Sequence, residues 1–276
     1  MNPIISIILP TYNGSQSITR AITSILNQEY QNWELLVVSD GSTDETKSIV
    51  AKFSETDQRI VLIENTDNKG IQKSLNEGLL QARGEYIARI DDDDEWVDCM
   101  KLSAQISFFE NHTDHLLLGT NAMVVDKDGT VLSVNKMPST DTAIRSSMLS
   151  KNCFLHSTIL VKKSAIEKVG GYSEEKQYLH AEDYELWLRI GAIGKMANLS
   201  MLSTNLTAHN NSLTSRNRVL QARNVLRSSY VYRKKYPRFF AGYIVGIVRL
   251  MFFCLLNILP LPSSLWYAIQ RTYRSA

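Results

Sequence analysis

Apolar and polar positions alternate in blocks through the first ninety or so residues of the 276-residue chain. Ile4 to Leu9 is an apolar run of strand length, closed by Pro10. Ile18, Ala21, Ile22, Ile25 and Leu26 then recur at helical spacing, behind Ser15 or Ser17 as an N-cap. Glu34 to Ser39 is a second buried strand ending at Asp40-Gly41-Ser42, and Thr43 to Phe53 a second helix. Arg59 to Glu64, Ile71 to Ala82 and Tyr86 to Ile90 repeat the sequence of strand, helix, strand. Strands and helices alternating across short turns predict an α/β fold with a mostly parallel, helix-covered sheet.

Beyond position 94 the pattern loosens. Leu102, Ile106 and Phe109 mark a helix, and Leu116 to Val125 and Thr130 to Val134 flank a hairpin turn at Asp126-Lys127-Asp128-Gly129. Ser157 to Val161 reads as a strand, Gly170-Gly171 as a turn, and Glu182 to Ile190 as an amphipathic helix. The expected division is one domain over 1–215, with 1–98 its nucleotide-binding half and 99–215 its acceptor half, and a tail over 216–276.

Four consecutive carboxylates, Asp91-Asp92-Asp93-Asp94, follow the fourth strand. Open α/β sheets bind ligands at the C-terminal ends of their strands. Like charges so close stay ionised together only around a cation or in water, and this placement favours a divalent-metal site over a solvated acidic loop. If the extended backbone continued, Asp91 and Asp93 would share one side and Asp92 and Asp94 the other. Net charge sharpens the picture. All 28 acidic residues lie at or before Glu185, against 17 basic ones, whereas 13 basic residues and no acid follow. The first part suits cations, and the remainder suits an anionic surface. Three scattered cysteines fit no metal spacing and suit a reducing compartment, and the N-terminus reads as a first strand, not a signal peptide.

Several stretches together resemble glycosyltransferase family 2, with its GT-A fold, and its bacterial surface-polysaccharide members in particular. They are Ile7-Ile8-Leu9-Pro10-Thr11-Tyr12-Asn13, Val37-Val38-Ser39-Asp40-Gly41-Ser42-Thr43-Asp44, Asp67-Asn68-Lys69-Gly70 with Asn76, and Ala82 through Asp94. Gly170-Gly171-Tyr172 and Ala181 through Arg189 complete the set. The resemblance implies an inverting, metal-dependent transferase that moves a hexose from a UDP-sugar to a lipid-linked sugar and forms a β-linkage. Mn2+ or Mg2+ would be held by Asp93, Asp91 and His209. Pro10, Thr11, Tyr12, Asp40, Asn68, Lys69, Asn76, Arg89, Asp91 and Asp92 would bind the nucleotide sugar. Asp183 would be the general base, with Glu182 beside it. An aspartate serves as a base near neutral pH only if burial raises its pKa.

Three positions depart from the family pattern. Ser157 follows His156 where a proline is usual, Asp98 replaces a proline, and Thr207 stands where an arginine precedes the histidine. The last leaves the group that screens the departing diphosphate open among Lys69, Arg89 and a basic residue after Arg216. A processive synthase would need several spanning helices and a Gln-x-x-Arg-Trp motif, neither of which is present. A non-catalytic sugar-binding module would have lost the acids.

The tail is basic, then apolar. Arg216, Leu220, Arg223, Arg227, Val231 and Lys234 share one helical face, and Phe239 to Leu259 then runs with Arg249 as its only charge. As a helix this stretch would measure about 32 Å, close to a bilayer core. Its aliphatic and Phe residues favour insertion by roughly 6 kcal/mol, and Arg249 opposes it by about 3. A spanning helix and an interfacial one are both open, as is packing on the catalytic part or in a homodimer. Anionic lipid is the expected partner, not nucleic acid, at the cytoplasmic face of a bacterial inner membrane.

Overall fold

The computed structural model describes residues 5–208 and 217–258. Strands β1 (Ile5–Thr11), β2 (Trp33–Asp40), β3 (Ile60–Asn65) and β4 (Tyr86–Arg89) alternate with helices α1 (Ile18–Leu26), α2 (Thr46–Thr56) and α3 (Ile71–Gln81). β1 pairs in parallel with both β2 and β4, and β2 with β3, so this part is ordered β3-β2-β1-β4. Thr11, Asp40, Asn65 and Arg89 therefore emerge along one edge, where the functional residues gather.

The four strands of the alternating part are all parallel, and beyond β4, where the pattern loosens, the sheet becomes mixed. β5 (Glu95–Trp96), α4 (Lys101–Asn111), β6 (His115–Val125), β7 (Val131–Asn135), α5 (Asp141–Ser147), β8 (Leu160–Lys162), α6 (Lys163–Val169), α7 (Glu182–Gly191) and β9 (Lys195–Thr207) follow. β8 inserts antiparallel between β4 and β6, β6 runs parallel to β9, and β9 pairs antiparallel with β5. The order is β3-β2-β1-β4-β8-β6-β9-β5, with β7 on β6 as the hairpin signal predicts. One sheet thus crosses residue 98, with no break between the two expected halves.

Period-two alternation builds two core layers. Ile5, Ile7 and Leu9 pack with Ile18, Ile22 and Ile25 of α1 and Leu102 and Phe109 of α4. Ile8, Leu36 and Val38 face the other way, in a layer with Leu75 of α3 and Leu186, Trp187 and Ile190 of α7. Trp187 is fully buried core, not a sugar platform.

Helices α8 (Arg218–Val231) and α9 (Phe239–Ile258) close the described chain. α8 is stitched to the segments flanking α7: Asn224 donates to the Leu179 carbonyl (2.8 Å) and Ser229 to that of Leu149 (3.0 Å). Just past its end, the Tyr232 hydroxyl donates to Glu185 (2.8 Å) and that of Tyr236 to the Leu188 carbonyl (2.8 Å).

Candidate active site

The acidic run does not stay extended. The backbone turns at Asp92 and Asp93, with the Asp94 amide donating to the Asp91 carbonyl at 3.2 Å. The turn overrides strand parity and brings Asp94 alongside Asp91 and Asp93, with ligand oxygens of all three within 4.8 Å of one another. Three hard oxygen donors at this spacing fit Mg2+ or Mn2+. Asp91 is partly exposed, whereas Asp94 is buried. Burial and the charges of Asp91 and Asp93 drive the Asp94 pKa well up. Asp94 accepts from the Ser157 hydroxyl (2.5 Å) and the Thr207 amide (3.0 Å), so it braces the turn from behind.

Asp92 points away from this group, towards β1. Its carboxylate accepts from the Thr11 hydroxyl. Burial, with Asp93 and Asp91 nearby, pushes it up to about 7 from the ordinary 3.8. Gly14 permits that approach, because a Cβ there would sit 2.2 Å from the Asp92 oxygen.

Arg89 is almost fully buried, and its guanidinium grips the Asp91 carboxylate with both terminal nitrogens. Its charge is consumed there, which takes Arg89 off the list of groups open to a diphosphate. A residue that sequence reasoning missed stands in the relevant corner. Arg20, on α1, donates to the Asp93 carbonyl (2.6 Å) and the Thr207 hydroxyl (2.9 Å). Only the meeting of α1 with the end of β9 reveals it, since Arg20 merely reads as a polar position in the helical pattern.

Asp40 makes a different kind of site. One of its oxygens accepts from Asn65 Nδ2 and the Lys69 amide, and the other from the Gly70 amide, each at 2.9 Å. The carboxylate thereby pins the loop between β3 and α3. The loop presses on Gly41, where a Cβ would meet the Asp67 backbone at 2.6 Å. Asn68 and Lys69 are exposed on this loop, and Tyr12 is exposed just beyond Pro10. Asn13 links the neighbouring loops, accepting from the Thr43 amide at 2.8 Å. Asn76 does not share the pocket-lining placement expected for it. Both ends of its amide engage the Tyr172 backbone (2.9 Å each), so it clamps α3 to the segment after Gly171.

Glu182 and Asp183 open α7. Asp183 accepts from Asn152 Nδ2 at 2.8 Å, and Asn152 is itself fixed by accepting from the Phe154 amide at 3.1 Å. Asn152 also escaped the sequence reading, because no spacing ties it to α7. Burial raises the pKa of both acids, Glu182 to about 7 from the ordinary 4.5, with Asp183 adding to the rise. Arg89 lowers and Asp91 raises both, so the acidic turn and this pair share one electrostatic field. His156 lies between them, hydrogen-bonded to the Tyr172 hydroxyl at 2.8 Å, and burial and Arg89 depress its pKa. His209, the third expected metal ligand, lies outside the described residues.

Residues 6–170 match the family described as "Glycosyl transferase family 2". "Putative glycosyltransferase EpsE" of Bacillus subtilis is 37% identical over 188 residues, covering 68% of this chain and 66% of that protein. "UDP-Glc:alpha-D-GlcNAc-diphosphoundecaprenol beta-1,3-glucosyltransferase WfaP" of Escherichia coli is 32% identical, covering 82% of this chain and 86% of its own. Among solved structures, S. aureus TarS 1–349 in complex with UDP-GlcNAc superposes with a TM-score of 0.68 at 20% identity, over 87% of this chain and 71% of that one. The mannosyltransferase PcManGT from Pyrobaculum calidifontis, in complex with GDP-Man and Mn2+, gives 0.67 at 19% identity, over 99% and 81%. These two likenesses establish the GT-A-like fold.

Proposed function

The chain belongs to glycosyltransferase family 2, and from that membership we propose an inverting hexosyltransferase using a UDP-sugar and a lipid-linked, polyprenyl-diphosphate sugar acceptor. Its β-linked product would serve bacterial surface-polysaccharide assembly at the cytoplasmic face of the inner membrane. The observation that carries this reading is the half-buried Glu182–Asp183 pair sharing the field of Arg89 and Asp91 with the acidic turn. WfaP, whose name describes an activity of this form, supports the donor and acceptor classes.

The geometry supports the following roles. Asp91 and Asp93, with Asp94 behind them, would hold the cation. When bound, Mn2+ or Mg2+ supplies Lewis-acid neutralisation of the diphosphate. Thr11, Asp92 and the loops at 12–13, 41–43 and 66–69 line the nucleotide side, with Asp40 keeping the last loop in place. Asp183 takes the acceptor hydroxyl proton as that oxygen attacks the anomeric carbon and the bond from that carbon to the diphosphate oxygen breaks. Arg20 places a positive charge on the departing side, next to Thr207. One displacement inverts the anomeric configuration, from an α-linked donor to a β-linked product.

The test is turnover of UDP-sugars with Mn2+ on a short diphospholipid acceptor analogue. Asp183→Asn should lower kcat by about 10²–10⁴-fold with donor affinity by calorimetry unchanged. An α-linked product, or an unimpaired Asp183→Asn enzyme, would overturn the mechanism.

A further inference from the structure

Resting on the reading of the chain as a transferase for lipid-linked sugars, we propose that α9 lies in the plane of an anionic membrane, embedded in one leaflet, and does not span it. α9 is apolar enough to cross, with mean hydropathy 2.2 over Phe239–Leu256. Its surroundings argue otherwise. One side is docked on the protein: a Cβ at Gly242 would lie 2.8 Å from the Leu149 backbone, and one at Gly246 2.7 Å from Leu226 of α8. Leu256, near the other end, is buried as well. Contact so close and so long ties α9 to its neighbours as a unit. To span, it would have to draw α8, with exposed Arg223 and Arg227, into hydrocarbon.

Arg249 points the same way. Its Nε is buried, and Arg249 is half-buried while the outward stripe is exposed, so it faces the protein and not that stripe. That stripe is Phe240, Ile244, Val248, Met251 and Leu255, each more than half exposed and all on one helical face. Such a face fits lipid, and Lys234, Lys235 and Arg238, all exposed, precede it. With no acid after Glu185, the surroundings of the stripe suit anionic headgroups.

The docking also reaches the chemistry. Leu149 lies under Gly242 and accepts from Ser229, and Asn152, which orients Asp183, is three residues further on. An embedded α9 therefore sets the base near the lipid surface, where the sugar of a lipid-linked acceptor emerges.

Flotation of the full-length protein with vesicles tests this. Binding is expected to phosphatidylcholine vesicles containing phosphatidylglycerol, and weaker binding to phosphatidylcholine alone. The Ile244→Asp/Val248→Asp double variant should bind at least tenfold less, with an unchanged circular-dichroism melt. Nitroxides at Phe240→Cys and Leu255→Cys should report the same shallow depth. A spanning helix would separate them by about 22 Å along the bilayer normal. Unequal depths would overturn the proposal. So would binding that survives the double variant but is lost in Trp266→Asp, or a stable dimer that covers Phe240 and ignores vesicles. The double variant should still turn over a water-soluble acceptor analogue. Absence of turnover in every protein would sink the transferase reading while leaving the vesicle result intact.

Discussion

Two aspartate corners stand at strand ends on either side of β1, and they handle charge in opposite ways. At the end of β2, Asp40 meets three donors from its own chain and spends its carboxylate on holding a loop. At the end of β4, three carboxylates converge with oxygens within 4.8 Å, and one of them, Asp91, has an internal cation in Arg89. The first corner is satisfied by the fold alone and should behave as architecture. The second brings three carboxylates together, and hard oxygen donors at that spacing suit a divalent cation. Both read alike in the sequence, as acids following buried strands.

The largest expected break in this contrast is Asp93→Asn. Metal-supported turnover should fall by more than about 100-fold, while the melting temperature without metal should change less than in Asp40→Ala. Equal loss of fold and activity would contradict the division. Asp40→Ala should do the reverse. Loss of its three accepted bonds should cost about 2 kcal/mol, lowering the melting temperature by roughly 4–8 °C, with residual turnover limited by a looser loop.

A pH series in chelator sharpens the comparison on a smaller scale. Asp92 and Glu182 titrate near 7 in the fold, well above their ordinary 3.8 and 4.5. Raised folded-state values mean that their stabilising contribution is full below about pH 4 and is lost as pH climbs through 7. The melting temperature should therefore decline from pH 5 to pH 8, and added Mn2+ should restore more at pH 8 than at pH 5. kcat/KM should rise with pH as the acid pair loses its protons, since burial raises the pKa of both. A flat profile in both would mean the acids are not buried as described. The smallest effect is expected of Arg20→Met, about tenfold in kcat with metal affinity retained; a change in metal affinity alone would assign Arg20 to the turn and not to the leaving group.

How much of this was legible follows from the range of the forces involved. β1 to β4 and their helices carry dense, regular apolar periodicity, and each expected element lies within a residue or a few of the observed one. β9 escaped, although it is the longest described strand. Its residues mix Asn, Ser and Thr with apolar positions, and its register against β6 shifts repeatedly. Only pairing with a distant partner makes it a strand. The run Ser157 to Val161 divides instead into a 3-10 turn at His156–Thr158 and a short β8. The acids of the site were visible because their chemistry is local. Asn152 and Arg20 were not, since each acquires meaning through a partner supplied by tertiary contact. Among the described residues, Asn76 and Asp40 show the converse, with polar groups expected to meet ligand engaged by backbone.

The end of β9 has one more consequence. Thr207 donates its amide to Asp94 and its hydroxyl to the Asp93 carbonyl. The acidic turn is thus clasped by a residue more than a hundred positions downstream. A nascent chain that has emerged only as far as residue 98 carries all four aspartates but no clasp. A severed nucleotide half should be a poor chelator for the same reason. Synthesis must reach β9 before the acidic turn gains the contacts that shape it.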